Sequence, residues 1–183
     1  MLRNVRLSYE HIFTPSAFDD SQEPKYSATF IIPKDHADLP ALKRAMLEAG
    51  QEDFPSDFVG AAWPKGYTCS LKDADKDTDN NGELLADKQP AYKGCYIIEA
   101  NSTRRPLVIG RRKEAITEDD GIIYSGCYVN ASLAAAGYTF GKVKKGVKCY
   151  LNGVQFVKDG ERFGSDASAD FDALDGDDDD FMG

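Results

Sequence analysis

No stretch of the 183-residue sequence approaches the ~20 consecutive apolar residues that a bilayer span requires. Its start, Met1-Leu2-Arg3-Asn4-Val5-Arg6, lacks the apolar segment of an export signal. Neither export nor a membrane partner is expected. Histidine is scarce: His11 and His36 stand alone, outside any Gly-x-Ser-x-Gly or metalloprotease motif, and no glycine-rich phosphate loop precedes a helix. Cys69, Cys95, Cys127 and Cys149 lie far apart in apolar or strand-like sequence with no Cys-x-x-Cys spacing, and they read as reduced core residues. A catalytic centre, a zinc site and a bound cofactor therefore have little foundation. Positive charge is absent from residues 165–183, which hold eight aspartates at 166, 170, 172, 175, 177, 178, 179 and 180.

That last absence changes the meaning of the net charge of −9, which by itself argues against a nucleic-acid partner. Without residues 165–183 the chain has 22 basic and 23 acidic residues, a net of −1. Residues 88–164 carry +6 and residues 1–87 carry −7. A basic half and an acidic end share one chain.

The length suits one core. Val5, Leu7 and Tyr9 alternate with polar neighbours, and Tyr26–Ile32 is β-branched and aromatic up to Pro33, so two strands are expected there. Asp38, Pro40, Leu42, Met46 and Leu47 predict a helix with Asp38 as its N-cap and Gly50 as its end. Residues 51–67 scatter Phe54, Phe58, Trp63 and Tyr67 among Pro and Gly, which predicts a packed loop, and residues 73–87 form a polar excursion. Further strands are expected over Cys95–Ala100, Pro106–Ile109, Ile122–Leu133 and Gly146–Val157. The fold expected is mainly β: a five- to six-stranded Greek-key barrel of the OB type with one or two helices, although the pattern alone does not fix this topology. It spans residues 1–164, and 165–183 form a disordered acidic tail, being too polar and too charged to offset the entropy of ordering.

Two strands carry the strongest functional signal. Period-2 alternation sets Tyr128, Asn130 and Ser132 opposite Cys127, Val129, Ala131 and Leu133, and sets Lys148, Tyr150 and Asn152 opposite Val147, Cys149 and Leu151. Tyrosines displayed among polar side chains suit base stacking, which tolerates any sequence, though such a ring also serves simply to stabilise a sheet. Around them lie Lys93, Arg104, Arg105, Arg111, Arg112, Lys113, Lys142, Lys144 and Lys145, interleaved with Tyr92, Tyr96, Tyr138 and Phe140. Cations release condensed counterions and rings hold bases, which is what a groove tracking a nucleic-acid backbone needs. The run from Asp77 to Lys88 matches a calcium loop at its first, third, fifth, sixth and eighth positions but places Lys88 where the closing glutamate belongs, and reads as an Asx-rich surface loop.

The tail ends Asp177-Asp178-Asp179-Asp180-Phe181, an aromatic tip behind a polyanion, a pattern suited to competing with DNA for a basic groove and to docking on another protein. Taken with the Tyr26–Pro33 strand, Gly126-Cys127-Tyr128-Val129-Asn130-Ala131-Ser132, Leu151-Asn152-Gly153-Val154-Gln155-Phe156-Val157 and Asp159-Gly160-Glu161-Arg162-Phe163-Gly164, the chain resembles the small single-stranded DNA-binding proteins of tailed bacteriophages. The resemblance implies an OB fold, sequence-tolerant binding of single strands in phage replication and recombination, and a tail that contacts polymerase and helicase in the cytoplasm of the infected host. In this chain Met182 and Gly183 follow Phe181, whereas tails of that family often finish on the aromatic residue. Other readings remain open: a phage structural or interaction module, or a divalent-metal-dependent nuclease. Edge strands also leave pairing into a homodimer open.

Overall fold

The computed structural model describes residues 1–17, 23–141 and 144–163. The tail and Lys142 lie outside them. Eight strands form along the described chain: β1 (Leu2–Ser16), β2 (Lys25–Pro33), β3 (Tyr67–Cys69), β4 (Leu71–Asp73), β5 (Cys95–Ser102), β6 (Leu107–Ile109), β7 (Tyr128–Phe140) and β8 (Lys144–Lys158). Two α-helices accompany them, α1 (Leu39–Asp53) and the single turn α2 (Leu85–Lys88).

Five strands close into a barrel in the order β1-β2-β5-β8-β7 and back to β1. The β5–β8 pairing is parallel, with Ala100 opposite Cys149 and Asn101 opposite Tyr150, and the other four barrel seams are antiparallel. This is the OB-type Greek-key barrel. The short strands β3 and β6 add to β8, and β4 adds to β5.

Alternation decides what fills the barrel. Val5, Leu7, Phe30, Ile32, Ile98, Val129, Val147 and Leu151 are all buried in one cluster. In β2, however, Phe30-Ile31-Ile32 is apolar on both faces, and such a strand needs cover outside as well. The 73–92 excursion supplies it: Ala74, Ala86 and Tyr92 pack on Ile31, Cys95 and Ile97 in a second cluster. All four cysteines are free, and burial pushes the Cys149 thiol up to about 12, so it stays protonated and unreactive at neutral pH.

Asp38 stands at the N-cap of α1 as expected, and its carbonyl accepts from Leu42 N–H at 3.0 Å. Asp38 makes no side-chain cap on α1; its carboxylate accepts from the Arg3 backbone N–H and from Arg3 Nη1, both at 2.9 Å. Gly50 does not end α1, which runs on to Asp53; it is small because the Phe58 ring lies where a Cβ would stand. The strand expected from Ile122 begins only at Tyr128. Gly126, at φ 113°, passes under the Glu161 carbonyl too closely for any side chain, and Phe163 N–H donates to Ser125 O at 3.0 Å. The chain before β7 therefore holds down the segment that follows β8. Among the described residues no helix is long and apolar enough to cross a membrane.

Candidate nucleic-acid interface

The β7–β8 hairpin stands beyond the barrel seam, and its register places small residues opposite large ones. On one face Ala134 pairs with Tyr150, Ala136 with Lys148, Tyr138 with Gly146 and Phe140 with Lys144. Alanine and glycine cannot cover a neighbouring ring, so the aromatic side chains are left accessible. Lys148 Nζ lies 4.6 Å from the Tyr150 ring centroid and 5.6 Å from that of Tyr138, giving an aromatic–cation–aromatic ladder. The Tyr138 hydroxyl is fixed by Thr68 Oγ1 at 2.5 Å. At the end of the hairpin Phe140 is 76% exposed. Over six residues the ladder extends roughly 20 Å, the length of several stacked bases.

The same face continues around the barrel. Tyr150 is opposite Asn101 on β5, Asn101 opposite Ser27 on β2, and Ser27 opposite His11 on β1, which makes a polar row across the strands. Arg104 and Arg105 are exposed in the loop that leaves β5 beside Tyr150, and Ser102 Oγ accepts from Arg104 N–H at 3.0 Å. The open ladder, the polar row and the two arginines form one continuous surface.

The remaining sequence-predicted residues are elsewhere. Tyr92 is 4% exposed, with its hydroxyl 3.2 Å from Ser8 Oγ, and is a core residue of the second cluster. Tyr96 packs against the main core with Lys43 Nζ 3.9 Å from its ring. Lys93 is exposed at the turn into β5. Lys145 points to the opposite side of the hairpin from Lys144 and Lys148, over Phe54 at 5.6 Å and Tyr67 at 5.9 Å, and pairs with Asp57 at 3.7 Å. The Tyr67 hydroxyl donates to Asp57 Oδ2 at 2.5 Å, and this hydrogen bond raises the Tyr67 pKa, with Lys145 opposing the shift.

Tyr128 and Asn130 occupy the far half of β7: Tyr128 is opposite Lys158, eight residues and roughly 25 Å along β8 from Tyr150, and Asn130 is opposite Gln155, five residues and roughly 17 Å from it. Tyr128 is held between Arg6 at 5.8 Å and Lys158 at 4.5 Å. Arg6 also donates to Glu161 O at 2.7 Å and lies 4.3 Å over Phe163, so this cluster fastens the end of the barrel. Asn130 accepts from Asn4 N–H at 2.9 Å and donates to Gln155 Oε1 at 3.0 Å. Its amide is already committed to aligning strands. Arg111, Arg112 and Lys113 form the exposed turn after β6 at this same end.

Alternation predicts Tyr150 and Lys148 on this face, and Tyr138 and Phe140 are expected only as aromatics interleaved among the cations. Carrying the even-numbered parity of Tyr128 and Asn130 onward through β7 finds both, because the register shift at Ser132/Leu133 leaves the facing of β7 intact. No such signal reaches His11, Ser27 and Asn101, whose adjacency to Tyr150 exists only once β8 closes onto β5. In the 77–88 loop the Asp79 carboxylate accepts from the N–H groups of Asn81 and Glu83, and Lys88 Nζ sits 2.5 Å from it where a cation would be bound. Among the described residues no group of three His, Cys, Asp or Glu side chains is placed to hold a metal.

Known proteins share this architecture. The profile of a family described as the ssDNA-binding protein of Enterobacter phage Enc34 matches residues 1–182. Protein p50 of Acyrthosiphon pisum secondary endosymbiont phage 1 is 34% identical over 167 residues, covering 88% of this chain and 84% of that protein. The single-stranded DNA-binding protein of bacteriophage Enc34, solved in complex with ssDNA, superposes with a TM-score of 0.69 at 29% identity, covering 88% of this chain and 87% of that one. The bacteriophage T7 protein gp2.5, at 14% identity and a TM-score of 0.55 over 96% of this chain and 94% of that one, shares the fold alone. With its barrel, its open aromatic face and a match along nearly its whole length, the chain belongs to the Enc34 family of phage single-stranded DNA-binding proteins, a family of binding proteins and not of enzymes.

Proposed function

We propose that this chain coats single-stranded DNA, without sequence preference, during phage DNA replication and recombination. The observation that carries the reading is the Tyr138–Lys148–Tyr150 ladder on an open hairpin face, extended by Phe140 and Lys144 and adjoined by Arg104 and Arg105. Bases stack on the rings, and the cations beside them take the phosphates. The Arg111-Arg112-Lys113 turn and Tyr128 lie farther along β8, where a longer strand reaches them. Residues 1–164 act as the binding domain. The acidic segment 165–183 recruits replication proteins such as polymerase and helicase through Asp177, Asp178, Asp179, Asp180 and Phe181, and competes with DNA for the cations of the face.

Fluorescence anisotropy of a labelled poly-dT strand tests this directly. Affinity is expected to fall linearly with salt on a double-logarithmic plot, with a slope of about −0.7 for each phosphate neutralised, so roughly −3 if Lys144, Lys148, Arg104 and Arg105 each engage one. Absence of binding at low salt, with residues 165–183 removed, sinks the proposal.

A further inference from the structure

On the other side of the hairpin, between α1 and the β3–β4 segment, lies an open groove of about 350 Å³. Met46, Leu47, Trp63 and Leu71 make it apolar, and Lys43 and Arg44 stand at its edge. Leu47, Trp63 and Leu71 are only partly buried, and both cations are exposed. Glu48, one turn beyond Arg44, is not among the residues that line it. Apolar surface rimmed by two cations fits a ligand that is apolar at its tip and acidic immediately behind it.

This chain carries such a ligand. Phe181-Met182 follows four consecutive aspartates, Asp177 to Asp180. Phe181 is 18 residues past Phe163, where the described chain ends. At full extension that span reaches about 60 Å, more than the roughly 40 Å breadth of a body of this size. The groove is therefore within reach of the chain's own end.

We propose that Phe181 and Met182 seat in the groove of their own chain, with Asp177–Asp180 against Lys43 and Arg44. This gives the tail a docking site distinct from the DNA face. The two are neighbours all the same: the Trp63 ring packs on Phe58 at 5.1 Å, Phe58 on Tyr67 at 5.1 Å, and Lys145 of the hairpin lies 5.9 Å over Tyr67. An anchored tip keeps the remaining aspartates of residues 165–183 tethered to the body, which raises their effective concentration at its cations. Competition with DNA, the part of the inference that rests on the function proposed above, then becomes an intramolecular equilibrium.

Trp63 is the only tryptophan in the sequence, so its emission reports on the groove without a label. Acrylamide quenching is measured on the full chain at low salt, on Phe181→Ala/Met182→Ala, on Lys43→Glu/Arg44→Glu and on Phe171→Ala. A docked tip shields the indole, so the quenching constant should rise about twofold in the first two variants and stay unchanged in the third, given that pockets cover most of a ligand-sized contact. Added salt should raise it in the unmodified chain. Equal quenching in the full chain and Phe181→Ala/Met182→Ala overturns the proposal, as does protection that disappears on dilution, which would assign the groove to the tail of a second copy. Poly-dT anisotropy on the same samples separates the two readings. Retained DNA binding with invariant Trp63 quenching removes the groove alone, and tail-dependent quenching without DNA binding removes the ladder alone.

Discussion

Tyr92 and Tyr150 are the same residue type in similarly basic sequence, and their surroundings give them opposite work. Tyr92 fills the second core and meets Ser8, whereas Tyr150 faces outward beside Lys148. Tyr92→Phe should destabilise the protein by about 1–3 kcal/mol, because the buried Ser8 hydroxyl loses that partner, and should leave poly-dT affinity unaltered. Tyr150→Ala should do the reverse, weakening binding by about 1–3 kcal/mol for the base it stacks with little change in stability. Urea unfolding paired with anisotropy distinguishes them, and a DNA-binding defect in Tyr92→Phe with none in Tyr150→Ala would move the interface elsewhere. The sequence shows which tyrosines exist; burial decides which are available.

At the scale of the element, the β7–β8 hairpin depends on the helix beneath it. Gly137 N–H donates to Asp53 Oδ2 at 2.6 Å, and a Cβ there would lie 2.6 Å from Phe54 Cε2 and 2.7 Å from Asp53 Cβ. Helix end and hairpin approach so closely because Gly137 has no side chain. Gly137→Ala should therefore push them apart, lowering stability by about 1–3 kcal/mol through overpacking, measurable in urea, and weakening poly-dT binding as the ladder tilts. The five barrel strands are each legible in part from alternation and β-branched runs, whereas residues 134–140 of β7, rich in Ala and Gly, carry no such run and continue the strand by pairing with β8. Strand ends are less legible: β7 begins at Tyr128 and not at Ile122, because Gly126 passes under the carbonyl of Glu161, 35 positions on.

At the scale of the whole molecule, charge is divided along the chain, and eight aspartates in residues 165–183 are set against a +6 segment. Deleting residues 165–183 should tighten poly-dT binding at low salt. The gain should shrink as salt rises, since the screening length falls from about 10 Å at 0.1 M to about 3 Å at 1 M. Anisotropy titrations of both forms across that range check it; a deletion that leaves affinity unchanged at every salt concentration would remove the tail from DNA competition. Docking of the tip beside Trp63 predicts in addition that this gain is largely reproduced by Phe181→Ala/Met182→Ala, although neither changes the charge.

The sequence by itself determined the properties that are local or additive: strand periodicity, the absence of catalytic and metal motifs, the acidic end and the basic half. It also determined the outward facing of Tyr150 and Lys148, because side-chain direction in a strand follows from parity alone. Only the tertiary structure decided which outward residues become one surface. Closing β8 onto β5 brings Tyr150 to Asn101, Ser27 and His11, and folding residues 73–92 back over Ile31 and Ile97 turns Tyr92 into core. The row at Tyr150 joins residues some 50 to 140 positions apart through seams whose register depends on the whole barrel, and no local pattern encodes it.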